Sequence, residues 1–252
     1  MNPSSAADIY TRPDVVAGYD REHELHEAEA LLFKDYVKPG SRVLDLGVGA
    51  GRTTSYLARS ASRYVGIDLS QAMLARCREK FPELTFLRLD ATDLSVLPGA
   101  SFDVVVFSFN GLDTIPSLEG RRRCLAECSR VLRPGGAFLF SVHNARFLIF
   151  SPVLNAVSPL RAVWRIAYAV AHSAAYLVSR LPSAAFRAGA GFAFDPLAHG
   201  GVTTYIATPQ HVAGELAEAG LLLVRCVPGQ FPRNGGPLRT PWYYYAGIKR
   251  DA

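Results

Sequence analysis

Apolar positions along the chain recur at two alternating periods. "HELHEAEALLFKDYV" (23–37) puts Leu25, Ala28, Leu32 and Tyr36 on one helical stripe, and Pro39-Gly40 ends it before the branched apolar run "RVLDL". Further strand-like runs follow at "RYVGIDLS" (63–70), "LTFLRLD" (84–90) and "FDVVVFSF" (102–109). The last of these is so uniformly apolar that it belongs mid-sheet, buried on both faces. Helical patterns separate the runs: one leaves the glycine-rich turn through about Arg59, and others cover "QAMLARCREK" and "LEGRRRCLAECSRVL". A fifth strand, "AFLFSVHN", comes after Arg133-Pro134-Gly135-Gly136. Near the C-terminus lie a helix (209–220), a strand "LLLVRCV" (221–227) and a strand "WYYYAGIKR" (242–250). Alternation of this kind predicts an α/β fold, a parallel sheet with helices on both faces. Residues 145–200 break the rhythm. They are rich in Ala, Phe, Leu and Pro, show no clear strand, and read as an insertion after the fifth strand of a single domain spanning 1–252.

The most informative stretch is "VLDLGVGAGRTT", where Gly47, Gly49 and Gly51 stand at the junction of first strand and first sheet-packing helix. Ligands of open parallel sheets bind beyond the carboxyl ends of the strands, and glycine lets them approach the backbone without a Cβ in the way. A dinucleotide turn of the form Gly-x-Gly-x-x-Gly needs its third glycine at position 52, which is Arg52. The observed spacing is Gly-x-Gly-x-Gly, preceded by Asp45. Two more carboxylates close the next two strands. Asp68, 21 residues after Gly47, can accept hydrogen bonds from both hydroxyls of a ribose. Asp90, with the backbone of Ala91, can receive an exocyclic amine.

Composition narrows the field only modestly. Hydrophobic residues make up 49% of the 252, enough for a large core and against disorder. The net charge of +5 comes from scattered arginines and points to no particular partner. Cys77, Cys124, Cys128 and Cys226 fit no metal or disulfide pattern and read as small buried hydrophobes. "MNPSSAADIYTRPD" shows no basic start followed by an apolar run, so the expected location is the cytoplasm.

Taken together, "VLDLGVGAGRTT", "VGIDLSQAML", "LRLDATDL", "FDVVVFSFNGLD" and "LAECSRVLRPGGAFLFSVHN" resemble the successive motifs of class I S-adenosylmethionine-dependent methyltransferases over roughly residues 40–145. The resemblance implies a Rossmann-like seven-stranded sheet whose final strand is antiparallel. It further implies that Asp45 contacts the cofactor and that the turn at Gly47, Gly49 and Gly51 faces the methionine part of S-adenosylmethionine. Asp68, with Leu69 beside it, would bind ribose; Asp90 and Ala91 would border adenine; Ser108 and Phe109 would lie near the sulfonium. Tyr10 or Tyr19 would supply an N-terminal aromatic.

Methyl transfer from a sulfonium is an in-line displacement, in which the protein aligns the nucleophile, excludes water and sometimes removes a proton. Groups positioned for proton removal are Asn110 and Asp113 after the fourth strand and His143 and Asn144 after the fifth; His199 and Tyr205 could close over the site. His143 is preferred because imidazole exchanges protons near neutrality. Ser108-Phe109-Asn110-Gly111 differs from the Asn/Asp-Pro-Pro-aromatic signature of enzymes that methylate base amines, and no basic stripe interleaved with aromatics is present, so nucleic acid is not the expected acceptor. The expected function is O-methylation of a bulky, partly apolar small molecule. The alternatives are N- or C-methylation, a nicotinamide-dependent oxidoreductase, or a cofactor-binding partner subunit without catalysis. Specificity is expected from the insertion, whose helix 160–181 reads as a lid or homodimer contact roofing an apolar pocket, with a membrane-surface position as the alternative. On it, Arg161, Arg165, His172 and Ser179 form a narrow polar stripe. Arg233 and Arg239, on the long connection 228–241, are further substrate contacts to test.

Overall fold

A computed structural model describes residues 12–20, 24–150, 158–195, 202–233 and 236–250. Tyr10 and His199 lie outside the described residues. Seven strands form one sheet: β1 (Ser41–Leu46), β2 (Ala61–Asp68), β3 (Thr85–Arg88), β4 (Phe102–Phe107), β5 (Leu132–His143), β8 (Leu221–Pro228) and β9 (Trp242–Lys249). Their order is β3-β2-β1-β4-β5-β9-β8. β1 to β5 run parallel, and β9 is antiparallel to both its neighbours. Because the chain winds outward from β1 to β3 and then returns to β4, a crevice opens between the carboxyl ends of β1 and β4.

Helices cover both faces. On one side α2 (Glu27–Tyr36), α3 (Thr54–Ser60) and α4 (Gln71–Lys80) bury Leu32, Phe33, Leu57, Leu74 and Cys77 against Val43, Val104 and Leu139. On the other, α5 (Leu118–Val131) and α8 (Pro209–Glu218) bury Leu125, Cys128, Val212 and Leu216 against Leu44, Val105 and Phe138. β4 contributes to both clusters, as its uniform apolar run requires. A short α1 (Pro13–Asp20) rests on the glycine turn through Val16 and Tyr19, which join Ala50 and Met73.

Several expectations need correction. β4 ends at Phe107, two residues early, because Phe109 and Asn110 both take left-handed backbone angles (φ 55 and 60) and the chain leaves the strand. β5 begins at Leu132, directly after α5, instead of beyond the Pro-Gly-Gly stretch. The insertion is not free of strands. After α6 (Pro159–Arg180) and the short α7 (Ala184–Ala188), β6 (Ala190–Asp195) pairs antiparallel with β7 (Val202–Ala207) in a separate two-stranded sheet. Cys226 is exposed on edge strand β8, whereas Cys77, Cys124 and Cys128 are buried.

Candidate active site

The glycine turn is shaped by sterics and held from three sides. Gly47 has φ 58, and a Cβ there would lie 2.8 Å from the ring of Phe107. Gly49 donates its N–H to Asp68 Oδ2 (2.9 Å) and its carbonyl accepts from Cys77 Sγ (3.1 Å), while Lys80 Nζ reaches the carbonyl of Ala50 (3.0 Å). Burial pushes the Cys77 thiol up to about 12, so it stays a protonated donor. Asp68 also accepts from Ser70 N (2.8 Å). Its burial raises the carboxyl above its ordinary value, against these backbone donors. Each of its oxygens retains a lone pair for an incoming hydroxyl. Beside it, Leu69 is exposed, and Asp90 at the tip of β3 is exposed and accepts from Thr92 N (2.8 Å). The turn opens onto bare backbone and carboxylate acceptors, with the half-buried Ala91 at its far end.

Asp45 is corrected from a cofactor contact to a brace. It is fully buried under the turn, where Oδ2 accepts from Thr53 Oγ1 (2.7 Å) and Tyr64 OH (2.8 Å). Desolvation raises its carboxyl to about 6.

Across the crevice, the left-handed pair Phe109-Asn110 is pinned by a bond from Asn110 N to Ser141 Oγ (2.7 Å). Two such residues in succession store on the order of 1–3 kcal/mol each, a cost that persists at functional sites. The turn presents the Phe109 ring to Tyr19 (centroids 6.1 Å) and to His26 (5.6 Å), and His26 also meets Trp242 (5.5 Å). Asn110 Nδ2 lies 3.2 Å from His143 Nε2. On the other side of that imidazole, Asp113 Oδ2 accepts from Nδ1 (2.9 Å) and from the His143 backbone N (2.7 Å). Asp113 is held in turn by Arg121 Nη1 (3.1 Å), and Arg121 pairs with Glu215 through Nε (2.9 Å) and Nη2 (3.1 Å). A line Glu215–Arg121–Asp113–His143–Asn110 thus ends at the strand tips. With Nδ1–H donated to Asp113, the Nε2 lone pair faces Asn110 and the crevice.

Tyr205 does not close over this site. It is buried in β7 with its ring 4.2 Å from the Arg121 guanidinium, and burial holds its phenol well above the ordinary value. Asn144 is likewise structural. Its amide donates to the carbonyls of Pro237 (2.6 Å) and Thr240 (2.8 Å), pegging the long β8–β9 connection to the tip of β5. Arg233 and Arg239 are exposed on that connection.

The pattern assigned no site role to Glu29, Arg52, His26 or Trp242. Arg52 bonds Glu29 through both terminal nitrogens (2.6 and 2.7 Å), Glu29 also accepts from His26 N (3.2 Å) and from Ser108 Oγ, and the guanidinium covers the Phe109 ring at 4.9 Å. The Glu29 side chain is 0% exposed. One carboxylate therefore ties α2, the glycine turn and the tip of β4 together. Arg52 in place of a third glycine was the available signal; nothing local distinguished Glu29 from the solvated acids of its helix.

Comparison with known proteins agrees with this geometry. A family described as "Methyltransferase domain" matches residues 43–136. The chain carries a class I S-adenosylmethionine-dependent methyltransferase domain. It is 40% identical over 99 residues to a demethylmenaquinone methyltransferase of Beutenbergia cavernae, covering 39% of each chain. It is also 40% identical over 106 residues to the phthiotriol/phenolphthiotriol dimycocerosates methyltransferase of Mycobacterium tuberculosis, covering 40% of this chain and 37% of that one. The match thus spans about two fifths of the length of these relatives. Among solved structures, the Burkholderia thailandensis 1,6-didemethyltoxoflavin-N1-methyltransferase superposes with TM-score 0.60 over 100% of this chain and 93% of its own, at 19% identity, which places the domain in that fold.

Proposed function

We propose that the protein is a methyltransferase acting on a small, apolar or aromatic acceptor, with an oxygen as the methylated atom. The observation that carries the reading is the Asp113–His143 pair, set at the carboxyl end of the sheet beside the strained Phe109-Asn110 turn. S-adenosylmethionine, when bound, supplies the electrophilic methyl group. The backbone of Gly47, Gly49 and Gly51 would hold its amino-acid part, Asp68 its ribose, and Leu69, Asp90 and Ala91 its base, with Ser108 and Phe109 nearest the sulfonium. The acceptor hydroxyl takes the place of the Asn110 amide at Nε2 and gives its proton there. Asp113, bonded to Nδ1, stabilises the imidazolium and keeps Nε2 aimed at the crevice. Tyr19, His26, Phe109 and Trp242 wall the site with aromatic surface, suited to excluding water and to a flat or greasy acceptor. The substrates named for the two curated relatives, a demethylated menaquinone and dimycocerosate lipids, support an apolar acceptor. The insertion 145–200 and the Arg233/Arg239 connection would shape acceptor choice, since both lie at the tip of β5.

A thermal-shift titration tests the cofactor half. At a hundredfold excess over Kd, a ligand stabilises the folded state by about 2.7 kcal/mol. Wild type should show a shift of that size and Asp68→Ala should lose most of it; equal shifts would remove Asp68 from the ribose site. The acceptor half is read with phenols and hydroquinones. His143→Ala should keep the cofactor shift and lose about 100-fold or more in turnover. Turnover unchanged in that variant favours a nitrogen acceptor, whose lone pair needs no base.

A further inference from the structure

Helix α6 is attached to the protein by the wrong side for a soluble lid. Over its 22 residues only Ala169, Tyr176 and Arg180 are buried, and the half-buried positions on the same side are Ala162, Arg165, His172, Ser173 and Ser179. This polar side makes the bonds. Ser173 Oγ accepts from Phe150 N (2.9 Å), Tyr176 OH donates to Asp195 (2.6 Å) and Arg180 pairs with Asp195 (3.2 Å). The opposite side is apolar and turned to solvent: Leu160 is 81% exposed, Val163 and Trp164 65%, Val170 64% and Val178 78%. At 100° per residue these five, with the exposed Ala167, Ala171 and Ala174, share one face roughly 120° wide. The expectation that the apolar face would roof an internal pocket is therefore reversed.

Something else covers this face, and charge selects what. From residue 145 to 200 the chain has five arginines (146, 161, 165, 180 and 187) and a single acid, Asp195, which Arg180 already engages. Arg161, exposed, flanks the apolar face, the position from which a cation reaches lipid phosphates while its stem stays in apolar surroundings. Trp164 and Tyr168 are exposed and neighbouring (centroids 5.4 Å), the ring types that settle at the headgroup level. A second copy docking here would bring arginine toward arginine, the one acid of this segment being buried against Arg180. An anionic bilayer answers both the apolar face and the charge. Among the described residues no helix is long and apolar enough to cross a membrane.

We propose that α6 lies in the plane of an anionic phospholipid surface, its Leu160–Val178 face sunk below the headgroups. The segment leaves and rejoins the sheet at the tip of β5, where Ala145 N donates to the carbonyl of Ala207 (3.3 Å), so a docked protein holds its crevice end beside the lipid. This inference goes beyond the proposed reaction and stands without it.

Co-sedimentation at about 0.1 M salt with phosphatidylcholine vesicles, with and without phosphatidylglycerol, tests it on the full chain. Wild type should pellet with the anionic vesicles about tenfold more than with neutral ones. Val163→Glu/Val170→Glu, at exposed positions, should abolish pelleting while leaving the thermal transition and the S-adenosylmethionine-induced shift unchanged. Arg161→Glu should weaken it by about fivefold or more, the equivalent of about 1 kcal/mol per surface cation. Equal recovery on both vesicle types, or pelleting that survives the double variant, overturns the proposal. So does a dimer seen by light scattering that the double variant splits.

Discussion

At the residue scale the determining fact is how few side chains shape the glycine turn from behind. Asp45 pays for its position in pH dependence. Its folded value is raised to about 6 from 3.8, so between those values the folded state holds a proton that the unfolded state has lost. Stability must fall as pH rises through that window, by about 3 kcal/mol if the whole shift is expressed. Asp45→Asn should flatten the profile between pH 4 and pH 6, measured as urea midpoints against pH in both proteins. His143 and Asp113 give a second residue-scale expectation. Asp113→Asn should reduce turnover through the tautomer and orientation of His143, by about 100-fold or more, with cofactor affinity little changed. Kinetics under saturating cofactor would check it. Unlike Asp68 or Gly49, neither Asp45's brace nor the Tyr205–Arg121 stack could be read from types and spacing. Both depend on partners far away in the chain.

At the element scale the crevice is a junction of three pieces, α2, the β1–α3 turn and the tip of β4, joined through Glu29. Removing one partner of a buried, bidentate pair leaves the other charge unpaired, at a cost of about 3–5 kcal/mol. Glu29→Gln should show this as a loss of unfolding free energy in urea, and should loosen the Phe109 turn that Arg52 covers. Strand and helix positions were mostly legible, because β4, β5 and β9 declare themselves by apolar runs and α4 and α5 by helical spacing. The hairpin β6–β7 was not. "AGFAFD" opens on Ala-Gly with no branched residue; its pairing partner "VTTYIA" carries the β-branched and aromatic types of a strand, but only the fold shows that it pairs with β6 and bridges to the tip of β5.

At the scale of the whole molecule, α1 and α6 are added to a sheet covered by two helical layers. α1 rests on the crevice through little more than Val16 and Tyr19. Segments held by few buried contacts open first, and a ligand beneath them slows that opening. Adding S-adenosylmethionine should therefore slow amide exchange in 13–20 and in 47–53 while leaving β6–β7 unchanged, as hydrogen-exchange mass spectrometry would show. α6 is the opposite case, a well-formed helix whose outer face is unfinished in the isolated chain.

The sequence by itself determined the alternation of strand and helix, the bare turn at Gly47–Gly51 and the carboxylates that end β2 and β3. Each of these rests on local sterics or on a residue's own chemistry. Tertiary structure alone decided that Asp45 faces inward, that Arg52 is clamped by Glu29, that Asp113 fixes His143, and that α6 shows its apolar side to the outside. Those outcomes depend on which surfaces meet across distant segments, and a helical period states that two faces differ without saying which one the rest of the protein will cover.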